Sequence, residues 1–267
     1  PDRSVNNNGL QVFGTVTKTA VATGADLVAY SGFSSSNYLQ QPYNSDLDFG
    51  TGDFCVMGWV STNSTSPQCL LHRGDGYSSS WGTAPIFQME LSTTFKAGIY
   101  AAGFASVDSV VEIPASEFAT GNMRHVVVTR SGGYLRLYVD SILKDSDTSA
   151  VTLTNTSANT WVGERPNLTR PWGGSISLLR ISATTPTAEQ IAKMYNDEKY
   201  LFQEGAQATL YGTSDAVTAL AYDDDTELLH AGTSAGRSVF QGLRRVSNTT
   251  DAVGAAISAS NDLVVEE

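Results

Sequence analysis

The stretch FCVMGWV, residues 54–60, constrains the fold more than any other part of the chain. Successive side chains of a strand point to opposite faces. Phe54, Val56 and Val60 therefore share one face and Cys55, Met57 and Trp59 the other, and neither face carries a charge or an amide. A half-buried strand should alternate apolar and polar residues, so this run raises the question of what covers its second face.

Strand-like runs recur around it, at 37–43, 54–61, 68–73, 86–91, 95–101, 107–113, 123–130, 134–140, 159–163 and 175–182. Turn-forming clusters separate them: NSTSP, GDGYSSSWGTAP, RSGG and DSDTS. Short strands at this spacing read as an antiparallel sandwich or barrel. HVVVTRSGGYLRLYVD is the clearest hairpin, with Val126 and Val128 before a Ser131-Gly132-Gly133 turn and Leu135, Leu137 and Val139 after it. Residues 1–37 read as an N-terminal arm or collar and 38–184 as the sandwich. An amphipathic helix is expected within 185–204, with Thr185 as its cap, Pro186 in its first position and Glu189 in its first turn. Ile191, Met194, Tyr195, Leu201 and Phe202 fall near one face of it. Residues 205–267 read as a small β appendage of three strand-length runs, AVTALAY, LLHAGTS and GRSVFQGLRRV, too few to hide both faces unaided.

Charged residues make up 16% of the chain, against about 25% in an average soluble protein. Net charge is −11 and the sequence pI near 4.6. That balance argues against nucleic-acid partners and anionic membranes, both of which need clustered Lys and Arg. No apolar stretch approaches the ~18 residues of a membrane span, so no membrane insertion is expected. The start, PDRSVNNNGL, has neither an initiator Met nor a signal pattern, and reads as a processed or partial product. Cys55 and Cys69, each in a strand-like run, are expected to be buried free thiols, with a disulfide between neighbouring strands as the alternative.

Four segments in order resemble a laminin-G-like, concanavalin A-like lectin/glucanase domain. They are YLQQPYNSDLDFGTGDFCVMGWV, IFQMELSTTFKAGIYA, MRHVVVTRSGGYLRLYVDS and WVGERPNLTRPWGGSISLLRI, spanning Tyr38 to Ile181. The third departs from the family pattern where Asn122-Met123-Arg124 replace a tryptophan-histidine lead and Ser141 replaces a glycine. The resemblance implies a mainly β fold, an antiparallel concanavalin A-like jelly-roll sandwich, with one C-terminal helix and the small β appendage. It also implies that Cys55, Met57 and Trp59 are covered by the arm and helix or by a neighbouring subunit. The flanks, DRSVNNNGL, GADLVAYSGFSSSNYL and PTAEQIAKMYNDEKYLFQEGAQATLYG, resemble bacteriophage tail fibre or receptor-binding proteins. AVTALAYDDDTELLHAGTSAG resembles the strand pattern of one β-propeller blade.

For catalysis, glucan-cleaving members of this fold carry carboxylates spaced E-x-D-x-(x)-E on one strand, and no such run occurs here; Glu90, Glu112 and Glu164 stand singly. Gly232-Thr233-Ser234-Ala235-Gly236 matches G-x-S-x-G, but its flanks read strand-turn-strand where a nucleophile elbow needs strand-turn-helix. His72, His125 and His230 are too dispersed for a zinc signature, and Arg73-Gly74-Asp75 reads as a turn. Relatives of the fold hold calcium with loop carboxylates, which makes Asp46, Asp48, Asp53, Asp75 and Asp140, all at expected strand ends, the candidate calcium ligands. Sugar binding needs aromatics that stack on pyranose faces beside polar groups. The loops offer Tyr77 and Trp81 in one, and Arg165, Asn167, Arg170 and Trp172 in another. The resulting expectation is a non-enzymatic virion protein of a phage tail or fibre, assembled in the host cytoplasm. Its partners would be other virion proteins, further copies of itself (a trimer is one arrangement) and a host surface glycan. The alternatives are a purely structural virion component and, behind it, a glycan-cleaving enzyme.

Overall fold

The computed structural model describes residues 9–75, 84–102, 106–213 and 216–266. The chain divides into two units: residues 1–19 with 29–192, and residues 20–28 with 193–267.

The first unit is a sandwich of two seven-stranded sheets. In spatial order the first sheet holds β1 (Gln11–Phe13), β4 (Tyr38–Gln41), β13 (Asn159–Val162), β6 (Gln68–Gly74), β7 (Ile86–Leu91), β8 (Thr94–Tyr100) and β9 (Val107–Pro114). The second holds β12 (Ile142–Thr148), β11 (Tyr134–Val139), β10 (Arg124–Ser131), β5 (Phe54–Ser61), β14 (Ser175–Ser182), β3 (Val28–Ser31) and β2 (Thr17–Ala20). The N-terminal segment, expected as an arm, thus supplies a strand to one sheet and two to the other.

Period-2 alternation builds the interlayer core. Phe54, Val56 and Val60 of β5 meet Val126, Val128, Leu135 and Leu137 on their own sheet and Phe87, Met89, Leu91, Phe95 and Ile99 from the facing one. The short helix α1 (Ala115–Phe118) drops Phe118 onto Phe95, with rings stacked 3.9 Å apart. The opposite face of β5 is buried too: Cys55, Met57 and Trp59 are 0%, 8% and 3% exposed. Trp59 lies against the ring of its cross-strand partner His125, 5.2 Å between centroids. The chain covers this face by itself, and no neighbouring subunit is needed there. Cys55 and Cys69 are free and buried, one on each sheet, and burial pushes the Cys55 thiol up to about 12.

Helix α2 (Ala188–Glu198) continues into a 3₁₀ turn, Lys199–Phe202. Its cap is Thr187, two residues beyond the expected Thr185. The Gln190 N–H donates to Thr187 Oγ1 (3.2 Å) and the Thr187 N–H to Gln190 Oε1 (2.9 Å), a reciprocal box that Thr185 could not make with Glu189.

The second unit contains a four-stranded meander, β15 (Val217–Asp223), β16 (Leu228–Thr233), β17 (Gly236–Gln241) and β18 (Arg244–Asn248), and a two-stranded ribbon, β19 (Ile257–Ser260) with β20 (Leu263–Glu266). GRSVFQGLRRV, read as one run, is a hairpin. Gly242 takes φ +58°, which reverses the chain between β17 and β18.

Candidate functional site

The loop from Gly163 to Gly174 carries four of the expected sugar-binding residues, and the structure gives most of them another task. Gly163 N–H donates to Leu70 O, Cys69 N–H to Arg170 O and Trp172 N–H to Gly163 O, which staples the loop to β6 and closes it on itself. Glu164 is fully buried and its Oε1 accepts from the N–H groups of Arg165 and Arg170. Burial pushes this carboxyl up, against the pull of those two donors. Arg165 is buried, with Nε on Asn167 Oδ1 (2.8 Å) and Nη2 on Thr169 Oγ1 (3.1 Å). Arg170 pairs with Glu90 at 2.8 Å, and Lys96 joins that carboxylate from the same sheet. Trp172 is 1% exposed and lies edge-on to Phe118 in the core. It cannot offer a face to a sugar, which corrects the sequence expectation. An open crevice of about 380 Å³ lies beside it, lined by Ser31, Gly32, Phe33, Gly173, Gly174 and Ser175. Tyr77 and Trp81 lie outside the described residues.

The five aspartates do not converge. Asp48 takes the Arg73 guanidinium, the Tyr43 hydroxyl (2.9 Å) and the Asn155 N–H (3.1 Å). Burial opposes its ionisation, but these donors together hold the carboxyl below its usual range. Asp140 pairs with Arg124 at 2.6 Å and accepts from the His125 N–H. Asp53 accepts from Ser131 Oγ at 2.8 Å, and Asp46 and Asp75 are solvent-exposed. Among the described residues no three His, Cys, Asp or Glu side chains gather as a metal would require. The set does not fit a shared calcium site. Arg73 is 5% exposed and tied to Asp48, so the Arg-Gly-Asp tripeptide is not displayed as an adhesion loop. Gly232–Gly236 forms the β16–β17 hairpin, where Thr233 Oγ1 donates to Gly236 O and accepts from the Ala235 N–H.

A constellation that sequence reasoning missed lies on the outer face of the first sheet. Leu39 and Val162 point into the core, so their neighbours Tyr38, Gln40 and Trp161 point outward. The ladder pairs Phe13 with Tyr38, Gln11 with Gln40, and Gln40 with Trp161. Phe13 and Tyr38 stack at 4.7 Å, and Tyr38 and Trp161 lie 4.9 Å apart at 33°. These spacings are those of adjacent strands. All three rings are half-buried, and the amides of Gln11, Gln40 and Asn159 lie on the same face. One strand further along the row the surface closes: His72, paired with Trp161, and Gln88 are buried, with Nδ1 and Oε1 2.8 Å apart. Burial foremost, with help from the Arg165 charge, pushes His72 down to about 4. The only available sequence signals were the alternations Tyr38-Leu-Gln40 and Asn159-Thr-Trp161, and neither discloses that these strands are neighbours.

A family model described as the concanavalin A-like lectin/glucanases superfamily matches residues 33–192. No curated protein matches the chain. Among solved structures, it is similar to the binding domain of Paraclostridial Mosquitocidal Protein 1 (14% identity, TM-score 0.55, covering 89% of this chain and 61% of that one). It is also similar to domain 4 of AbnA, a GH43 extracellular arabinanase from Geobacillus stearothermophilus, in complex with arabinotriose (15%, 0.51, 72% and 91%). A third is the binding domain of botulinum neurotoxin DC in complex with SialylT (12%, 0.56, 96% and 61%). The chain thus spans about three fifths of the toxin domains' length. The chain belongs to the concanavalin A-like lectin/glucanases superfamily.

Proposed function

We propose that this chain is a non-enzymatic glycan-binding protein that seats a neutral oligosaccharide on the outer face of β1, β4 and β13. The observation that carries this reading is the grouping of Phe13, Tyr38 and Trp161 with Gln11, Gln40 and Asn159 on one half-buried, uncharged face. Aromatic rings supply apolar area with two torsions to freeze, and amides supply both donors and acceptors for hydroxyl groups. The inner ring faces stack on one another, so the edges and the Trp161 indole are what a sugar would meet. The sugar complexes of the arabinanase and neurotoxin domains support a glycan as ligand.

Binding without turnover agrees with the carboxylates. Glu90 is neutralised by Arg170 and Lys96, Glu164 is held by two backbone N–H groups, and Glu112 accepts from Thr94 Oγ1 on the neighbouring strand. Glycoside hydrolysis uses two carboxyls about 5–10 Å apart across an open cleft, and these three are each engaged with the protein's own donors. A place in the virion, as a tail-fibre protein contacting a host glycan, is supported by the resemblance of the flanking sequences alone. A glycan array tests the binding reading. Wild type should bind a neutral glycan saturably, with or without chelator, and without releasing products. Trp161→Ala should weaken it about tenfold or more, or about 1.4 kcal/mol. Absent binding by wild type, or binding indifferent to both Trp161→Ala and Tyr38→Ala, would overturn it.

A further inference from the structure

Strand β1 is an element without a core role. It is three residues long, and among the described residues it pairs with β4 alone, at the outer end of the first sheet. Val12, the ladder partner of Leu39, is 61% exposed, and no residue of β1 belongs to the buried core. Its other side carries Phe13, whose ring stacks on Tyr38. A strand so short, with so little buried apolar area, belongs to the part of a fold that opens first. Its C-terminal end is nevertheless closely fastened.

The fastening is built around Asn37, the residue that precedes β4. Asn37 Oδ1 accepts the Thr15 N–H at 2.9 Å, and its Nδ2 donates to Gly32 O at 3.3 Å. Asn37 is itself held by Ser34. The Ser34 N–H donates to Asn37 O at 2.9 Å, and the Asn37 N–H is shared between Ser34 O and Ser34 Oγ, both at 3.1 Å. Gly14, between Phe13 and Thr15, takes φ +62° and passes so close that a Cβ there would run into Asn37 Oδ1 and Ser36 O. Glycine meets both demands, the left-handed backbone and the close approach. Phe13 comes just before Gly14 in the chain, and Tyr38 just after Asn37. One side chain thus ties together the two backbone segments that carry the stacked rings.

We propose that Asn37 is the positioning residue of the glycan-binding face. It holds β1 down through Gly14 and Thr15, so that Phe13 stays on Tyr38 and the row Phe13, Tyr38 and Trp161 is complete before a glycan arrives. The inference rests on the glycan-binding reading above and adds that the face is preorganised. Freeing β1 lowers the fraction of molecules in which the row is complete, and apparent affinity falls in proportion to that fraction.

Two measurements on the full chain test this. Hydrogen exchange at the ladder amides of β1 reads the clamp with no ligand present. Titration calorimetry with tetrasaccharide fragments of neutral β-glucan, xylan, mannan and galactan reads the face. In Asn37→Ala the β1 amides should exchange about tenfold faster or more, with the far-UV circular dichroism and urea midpoint of wild type. Binding should weaken about tenfold. Asn37→Asp keeps an acceptor for the Thr15 N–H and should restore most of both. Gly14→Ala breaks the clamp from the other side and should reproduce Asn37→Ala. The two combined should weaken binding no further, because they act through one contact. Unchanged exchange in both single variants, or faster exchange with undiminished binding, would overturn the positioning role and leave the glycan reading standing. A wild type that binds none of the fragments would overturn the glycan reading and the positioning role with it.

Discussion

Arg130 shows how a single side chain can hold one end of the sandwich closed. It is 2% exposed, and its guanidinium donates to Gly50 O, Gly52 O and Val151 O while lying 5.1 Å over the Phe54 ring. A planar fork satisfies those carbonyls together, and an ammonium cannot. Arg130→Lys should therefore lower stability by about 2 kcal/mol, read as a fall in the urea midpoint at unchanged m-value. The hairpin around Arg130 was legible in sequence, but the role of Arg130 was not, because its acceptors lie 78, 80 and 21 residues away. His72 acts on stability through its charge. Its pKa is near 4 in the fold and about 6.5 in an unfolded chain. Between those values the unfolded state binds a proton that the folded state refuses. The His72 contribution is thus complete above pH 6.5 and falls away as pH drops towards 4, by ~3 kcal/mol in all. Denaturation curves at pH 7.5, 5.5 and 4.5 should show this loss, and His72→Gln should flatten it by about one proton.

Most strands of the sandwich were legible because their alternation is strong. Phe54–Ser61, Ile86–Leu91 and Ser175–Ser182 fall where the pattern put them. The miss at β12 is instructive. ILKDSDT reads as a turn because it is polar, and it is polar because it closes an edge. Asp147 Oδ2 accepts from the Val110 N–H at 3.0 Å and Asp145 Oδ2 from the Glu112 N–H at 2.9 Å. Strand β9 is the last of the first sheet, and these carboxylates reach from the last strand of the second to occupy its unpaired donors. Edges left bare invite pairing with other chains. Asp145→Ala/Asp147→Ala should cost about 1–3 kcal/mol and raise the aggregation rate on heating, measured by light scattering. At α2 the expected helix was present but its cap was misplaced by two residues. Thr187→Ala should cost about 1 kcal/mol and Thr185→Ala close to nothing, a contrast that thermal melts resolve.

At the scale of the molecule, charge separates the kinds of ligand this fold can take. The chain carries −11, yet the proposed binding face of Gln11, Phe13, Tyr38, Gln40, Asn159 and Trp161 carries no ionisable carboxylate or cation. That grouping was hidden in the sequence, since β4 and β13 meet across more than a hundred residues and composition reports only the acidic total. The net field repels anionic ligands over a Debye length, about 30 Å at 0.01 M salt and 8 Å at 0.15 M. A neutral oligosaccharide feels none of it. Affinity for a neutral glycan should therefore stay constant within twofold from 20 to 500 mM NaCl, measured by titration calorimetry. A sialylated glycan of the same size should bind more weakly at low salt and gain affinity as salt rises. Binding that instead weakens steeply with salt would mean a cationic contact to an anionic ligand. Arg165 and Arg170, tied as they are to Asn167, Thr169 and Glu90, would then have to exchange those partners for the ligand.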